Sequence, residues 1–232
     1  MGLVVIVEGL IGAGKSTLTQ ELGAALGSST LVLMEPDEQG DANPYLADFY
    51  GDMDRWAFTM QVHLLGVRYR MQLMAQWHAM GGLGHAVCDR SYYGDTCFAR
   101  MMRDTGQISA REFGTYQTLY QTMSAGVLLP SVCVRLHVDP AVAAGRIRKR
   151  AADRDGRKSE LTIDLSYLRA LDAEITSTVD VLRQQGVHVL DVDWGSERST
   201  AENRASEIRR LADEIQATPV PDLFKLHRRV IA

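Results

Sequence analysis

The run Gly9-Leu-Ile-Gly12-Ala13-Gly14-Lys15-Ser16-Thr17 constrains this chain more than any other segment. It comes after a short β-rich apolar stretch at 3–8. It precedes a helical pattern in which Leu18, Leu22, Ala25 and Leu26 recur on one face before Gly27 and two serines end it. A glycine-rich turn between a strand and a helix lets backbone N–H groups wrap phosphate oxygens, and the helix N-terminus turns its positive dipole end toward them. The loop from Gly9 through Gly12, Ala13, Gly14, Lys15, Ser16 and Thr17 is therefore read as a cradle for a nucleoside triphosphate. Lys15 reaches the β and γ phosphates, and Ser16 offers its hydroxyl to Mg²⁺.

Beyond the loop the same alternation repeats. Apolar β-rich runs at 31–34, 85–89, 132–138 and 187–192 are separated by helical patterns at 53–80, 94–104, 110–125, 141–152, 164–185 and 200–216. Short strands alternating with longer helices are the pattern of a parallel sheet wound with crossover helices. With 232 residues and no linker-like stretch, one domain over 1–232 is the reading, with a weakly structured tail at about 218–232. The formal net charge of −4 gives the whole chain no electrostatic attraction to nucleic acid or to an anionic membrane. The apolar run from Leu3 is interrupted by Glu8 and has no basic residues before it, so neither a signal peptide nor a membrane span is expected. Cys88, Cys97 and Cys133 lack metal-ligand spacing and read as reduced core thiols of a cytoplasmic protein.

Three further groups carry chemistry. Glu35-Pro36 comes directly after the second strand, which puts a carboxylate at the carboxyl edge of the sheet, where ligands bind in open α/β folds. There Glu35 can accept the proton of an attacking hydroxyl, or it is a solvated loop residue before a turn-forming proline. Asp89-Arg90-Ser91 ends the third strand at the same edge. Asp89 can hold Mg²⁺, Arg90 can neutralise a migrating phosphoryl group, and Ser91 suits the N-cap of the next helix; a structural Asp89–Arg90 ion pair is the alternative. Finally, Arg146, Arg148, Lys149, Arg150, Arg154, Arg157 and Lys158 crowd one segment of an acidic protein. Such a cluster is a lid over phosphates, a solvated helix face or a nucleic-acid patch.

Together these pieces resemble the deoxynucleoside kinase family, especially its bacterial deoxyadenosine and deoxyguanosine kinase branch. The resemblance runs from the phosphate loop to about Leu168. It takes in Glu35-Pro36, the segment 43–50, Asp54-Arg55-Trp56-Ala57-Phe58 to Gln61, Arg68, Asp89-Arg90-Ser91, Asp95 and the arginine-rich lid at about 146–160.

The resemblance implies a three-layer α/β P-loop kinase fold, with a five-stranded parallel β-sheet flanked by helices. It implies ATP and Mg²⁺ as cofactors, a homodimer formed through helices, and 5′-phosphorylation of a deoxynucleoside, with deoxyadenosine, deoxyguanosine or deoxycytidine favoured over thymidine. It casts Glu35 as general base with Arg90 and Lys15 beside it, Gln61 as a two-pronged partner of the nucleobase, and Arg68 with Asp95 as the polar wall near the exocyclic group. Tyr50 and Glu160 hold the sugar 3′-hydroxyl, and Arg146, Arg150 and Arg157 serve the lid. The lid here is several residues longer than the compact family form, so Arg154 and Arg157 compete for one role. Thymidylate kinase shares the phosphate loop, the Asp-Arg pair and the lid, but the series Tyr50, Trp56, Gln61 and Arg68 counts against it. Intact Glu35, Asp89 and Arg90 count against a non-catalytic nucleotide-binding regulatory subunit.

Overall fold

The structure is a computed structural model, and it describes residues 1–36, 43–152, 158–195 and 201–220. Five strands, β1 (Val4–Glu8), β2 (Leu31–Leu33), β3 (Ala86–Asp89), β4 (Val132–His137) and β5 (His188–Asp193), form one parallel sheet in the order β2-β3-β1-β4-β5. β1 lies at the centre, with Val7 opposite Asp89 on one side and Glu8 opposite Arg135 on the other. Val5, Ile6, Val7, Val132, Cys133 and Val134 have no exposed surface, as befits strands covered on both faces.

α1 (Lys15–Leu26) packs against α8 (Ala201–Ala217), while α3 (Met53–Met80), α4 (Tyr92–Asp104) and α7 (Leu165–Gln184) pack side by side. α5 (Ala110–Ser124) leans on α3 and α4, and α6 (Pro140–Ala152) leads through residues outside the described set to a 3₁₀ turn at Lys158–Thr162. All three cysteines are buried free thiols.

Two elements differ from the sequence expectation. A six-residue helix, α2 (Leu46–Gly51), precedes α3. It is too short to display a helical hydrophobic period, which is why the pattern missed it. α4 begins at Tyr92 rather than Gly94, because the Ser91 side chain accepts from Gly94 N at 2.9 Å and so starts the helix immediately after itself.

The long helix α3 spans about 40 Å at 1.5 Å per residue. Its start is fixed by Asp52, whose carboxylate accepts from Arg55 N at 3.1 Å, and its end by the turn at Gly81. Gln61 and Arg68 lie two turns apart on its buried face, with Leu64 and Leu65 between them.

Candidate active site

Glycine is required in the phosphate loop by geometry. Gly12 and Gly14 have φ of 78° and 90°, and a Cβ on Gly12 would come within 2.7 Å of the Ala143 carbonyl. The Lys15 ammonium is buried and donates to the Leu10 carbonyl at 2.9 Å. Burial and the neighbouring Arg90 pull its pKa down to about 8, against the raising influence of Asp89, Glu35 and Glu8. The Ser16 hydroxyl donates to Asp89 Oδ2 at 2.6 Å, while buried Asp89 Oδ1 has no partner among the described residues. A serine hydroxyl beside a carboxylate oxygen left open is a donor set that fits Mg²⁺, a cation that takes oxygen ligands and keeps several waters.

The second half of the site is a chain of charges. Arg68 on α3 donates through Nη2 to Glu35 Oε1 and through Nη1 to Asp95 Oδ1. Arg90 donates through Nε to Glu35 Oε2 at 3.0 Å and through Nη1 to the Gly9 carbonyl at 3.2 Å. Arg90 therefore pairs with Glu35 and not with its neighbour Asp89, which is turned to Ser16. Both guanidinium groups lie over the ring of Phe98, at 5.4 and 4.7 Å from its centroid, where the ring face attracts cations. Burial raises the Glu35 carboxyl, but Arg90, Arg68 and Lys15 outweigh it and hold the pKa down to about 2. Glu35 is thus ionised at neutral pH.

Between these two halves lies a cavity of about 150 Å³. Its wall includes Gly12, Gly14, Lys15, Ser16 and Thr17 from the phosphate loop, then Glu35 and Arg90 at the sheet edge. Gln61 and Arg68 line it from α3; Tyr50, Glu160 and Arg150 line it from α2, the 3₁₀ turn and α6. Gln61 Oε1 is buried there without a partner among the described residues, an acceptor suited to a nucleobase N–H. A larger cavity of about 610 Å³ between α4, α5 and α7 lies away from the phosphate loop, and its guanidinium, Arg100, is engaged by Glu174 and Thr178, both at 2.5 Å. The smaller cavity is where the phosphate loop and the reactive groups converge.

Not every residue singled out from sequence lies on this wall. Gly9 and Ala13 are buried within the loop, and Asp89 stands behind Ser16. Asp95 has no exposed surface and sits behind Arg68, with Oδ2 accepting from the Tyr116 hydroxyl at 2.5 Å. Arg146 donates to the Ala13 carbonyl at 3.3 Å and to the Trp194 carbonyl at 2.8 Å, and Arg150 donates to Glu160. Arg154 and Arg157 lie outside the described residues. Sequence reasoning missed Phe98, Trp194 and Tyr116. Phe98 stands three positions after Asp95 on one helix face, and Trp194, beside Gly14, comes directly after the last strand, so both had a signal. Tyr116 had none.

A phosphate loop between β1 and α1, a carboxylate after β2 and an Asp-Arg pair at the end of β3, all at one sheet edge, define a P-loop kinase. Residues 5–217 match the deoxynucleoside kinase family, and the chain belongs to it. It is 34% identical over 194 residues to a deoxyadenosine kinase of Dictyostelium discoideum, covering 83% of this chain and 73% of that protein. It is 32% identical over 219 residues to a deoxyadenosine/deoxycytidine kinase of Bacillus subtilis (strain 168), covering 92% and 94% respectively. The fold is similar to the structure of deoxyadenosine kinase from M. mycoides with bound dATP, with a TM-score of 0.72 at 23% identity over 93% of this chain and 100% of that one.

Proposed function

We propose that this kinase moves the γ-phosphoryl group of ATP onto the 5′-hydroxyl of a deoxynucleoside. The base is adenine, guanine or cytosine in preference to thymine. The observation that carries this reading is Glu35, a carboxylate held ionised between Arg68 and Arg90 on the wall that also bears Lys15 and Ser16. In the step, the 5′-hydroxyl gives its proton to Glu35, its oxygen bonds to the γ-phosphorus, and the bond to the bridging β–γ oxygen breaks to leave ADP. Lys15 and Arg90 carry positive charge where negative charge is redistributed. Ser16 and Asp89 would hold Mg²⁺, which supplies charge neutralisation on the phosphates when bound.

Gln61 and Arg68 face the nucleobase, with Asp95 behind Arg68; Tyr50 and Glu160 take the sugar 3′-hydroxyl. Arg146 and Arg150, with Arg157, serve the phosphates as a lid. The relatives named for deoxyadenosine and for deoxyadenosine/deoxycytidine support a preference for bases with an exocyclic amine.

One sheet and one core support a single domain over 1–232. The family reading makes the protein a cytoplasmic homodimer, and sedimentation at enzyme concentrations tests its assembly. Among the described residues no helix is long and apolar enough to cross a membrane. The deciding experiment is ADP release with ATP and Mg²⁺ against the four deoxynucleosides and dTMP. Turnover with deoxyadenosine, deoxyguanosine or deoxycytidine is the expected result. Turnover with dTMP alone replaces this reading with a thymidylate kinase, and no turnover with any acceptor replaces it with a non-catalytic nucleotide-binding protein.

A further inference from the structure

The charge chain at the active site does not end at Asp95. Asp95 is fully buried, and its two oxygens are taken by different helices: Oδ1 by Arg68 of α3, Oδ2 by the hydroxyl of Tyr116 of α5. No residue of α5 lines the cavity that holds Glu35 and Lys15. Yet this one hydroxyl completes the coordination of the carboxylate that carries Arg68. Tyr116 is well placed to hold it still. It is buried, its ring lies near-parallel to Phe113 and Tyr120 at 6.2 and 6.5 Å, and the helix start is fixed by a capping box between Ser109 and Glu112.

We propose that Tyr116 is a positioning residue for base discrimination: by occupying Oδ2 of Asp95 it fixes Arg68, the guanidinium that lines the nucleoside cavity. This rests on the reading that Arg68 faces the base. Losing the hydroxyl changes what Arg68 can offer the base. Burial raises the Asp95 carboxyl, and Arg68 and the Tyr116 bond oppose that rise, so without the bond Asp95 moves toward its neutral form. A neutral Asp95 holds Arg68 less firmly, which frees guanidinium N–H groups for an acceptor on the base. A freed N–H donor favours a base carbonyl over a base amine.

The test compares deoxyadenosine with deoxyinosine, which differ at C6, an amine against a carbonyl, and at the adjoining N1, an acceptor against an N–H donor. For Tyr116→Phe, the ratio of kcat/KM should move about 5- to 10-fold toward deoxyinosine, about the net worth of one ordinary hydrogen bond. On an Asp95→Asn background, Tyr116→Phe should add less than about twofold, because both changes act through the same contact. A parallel fall for both substrates makes Tyr116 merely structural and overturns the proposal. If Arg68→Met moves the ratio and Tyr116→Phe does not, the proposal fails while the base-facing role of Arg68 stands. If neither moves it, both fail. Should the Phe variant prove unfolded by circular dichroism, Asp95→Asn probes the link from its other end. It must then shift the ratio toward deoxyinosine, and an unchanged ratio overturns the proposal.

Discussion

Arg90 reaches Glu35 from a left-handed backbone, with φ of 66°, and donates from Nε to Oε2 across 3.0 Å. A non-glycine residue in that region is strained and persists only where its surroundings enforce it. Here its amide donates to the Val7 carbonyl at 3.1 Å and its guanidinium to the Gly9 carbonyl, so the end of β1 fixes Arg90 at both ends. The strain is thus tied to the placement of a charge against the Glu35 carboxylate.

Replacing that carboxylate separates chemistry from binding. Glu35→Gln keeps the shape and one acceptor oxygen but cannot take up a proton. We expect kcat to fall by about 10²- to 10⁴-fold, the usual share of a positioned general base, with nucleoside binding retained by calorimetry. A near-parent kcat removes Glu35 from proton transfer.

Metal dependence should change at Asp89 and Ser16. Asp89→Asn removes the charge of the group whose Oδ1 is open and whose Oδ2 holds Ser16. The Mg²⁺ concentration for half-maximal activity should rise, by roughly tenfold for a lost charged ligand, with the KM for nucleoside little changed. Chelation by excess EDTA should abolish turnover in the parent, and added Mg²⁺ should restore it.

The arginines proposed for the lid should be unequal. Arg150 is bonded to Glu160 on the cavity wall and Arg146 to the carbonyls of Ala13 and Trp194, whereas Arg148 is exposed on the same helix. Alanine at 150 or 146 should lower kcat/KM for ATP by about tenfold or more, and alanine at 148 by less than about twofold. Equal small effects at all three positions return the cluster to a solvated face.

How much of this was legible depended on sequence separation. The glycine-rich loop is contiguous, so Gly9 to Thr17 could be placed between its strand and helix from local pattern alone. The Ser91 cap and the buried face carrying Gln61 and Arg68 were equally local, each set by helical spacing. The charge chain is not local: Arg68 meets Glu35 across 33 positions and Asp95 across 27, while Tyr116 meets Asp95 across 21. The position after the second strand supplied Glu35, and family resemblance supplied Arg68 and Asp95. Neither gave a reason to single out Tyr116, which shares the buried face of α5 with Phe113, where most aromatics only pack.

Packing makes a prediction independent of activity. Gly94 lies in the first turn of α4 against Glu8, whose Oε1 accepts from Ser91 at 2.6 Å, and a Cβ at 94 would fall on the Glu8 carboxylate. Glu8 is fully buried and held in place, so it cannot yield freely. Gly94→Ala should destabilise by about 1–3 kcal/mol, seen as a fall in Tm of about 2–4 °C per kcal/mol. An unchanged Tm means that the Glu8 side chain can move aside.

The last prediction concerns pH, and its sign is set by the charges around Glu35. Burial raises the carboxyl; Arg90, Arg68 and Lys15 lower it further than burial raises it, to about 2 against an ordinary 4.5. Because the folded-state value is depressed, the associated stability is present above about pH 4.5 and lost as pH falls toward 2. Glu35 therefore stays ionised in the parent across the working range, so no acid limb from this group should appear in kcat/KM at about pH 5 to 8. Arg68→Met removes one of the three lowering charges and its hydrogen bond, leaving burial opposed by Arg90 and Lys15 alone. Asp95, deprived of its partner, moves toward its neutral form under burial and so adds little repulsion. The Glu35 carboxyl should therefore rise toward its ordinary range, as expected for a lost opposite charge in contact. The measurement is kcat/KM for deoxyadenosine against pH, with circular dichroism at each point to confirm the fold. An acid limb that lies at higher pH in the variant than in the parent is the expected outcome. Identical profiles for parent and variant would show that Arg68 does not set the charge state of Glu35.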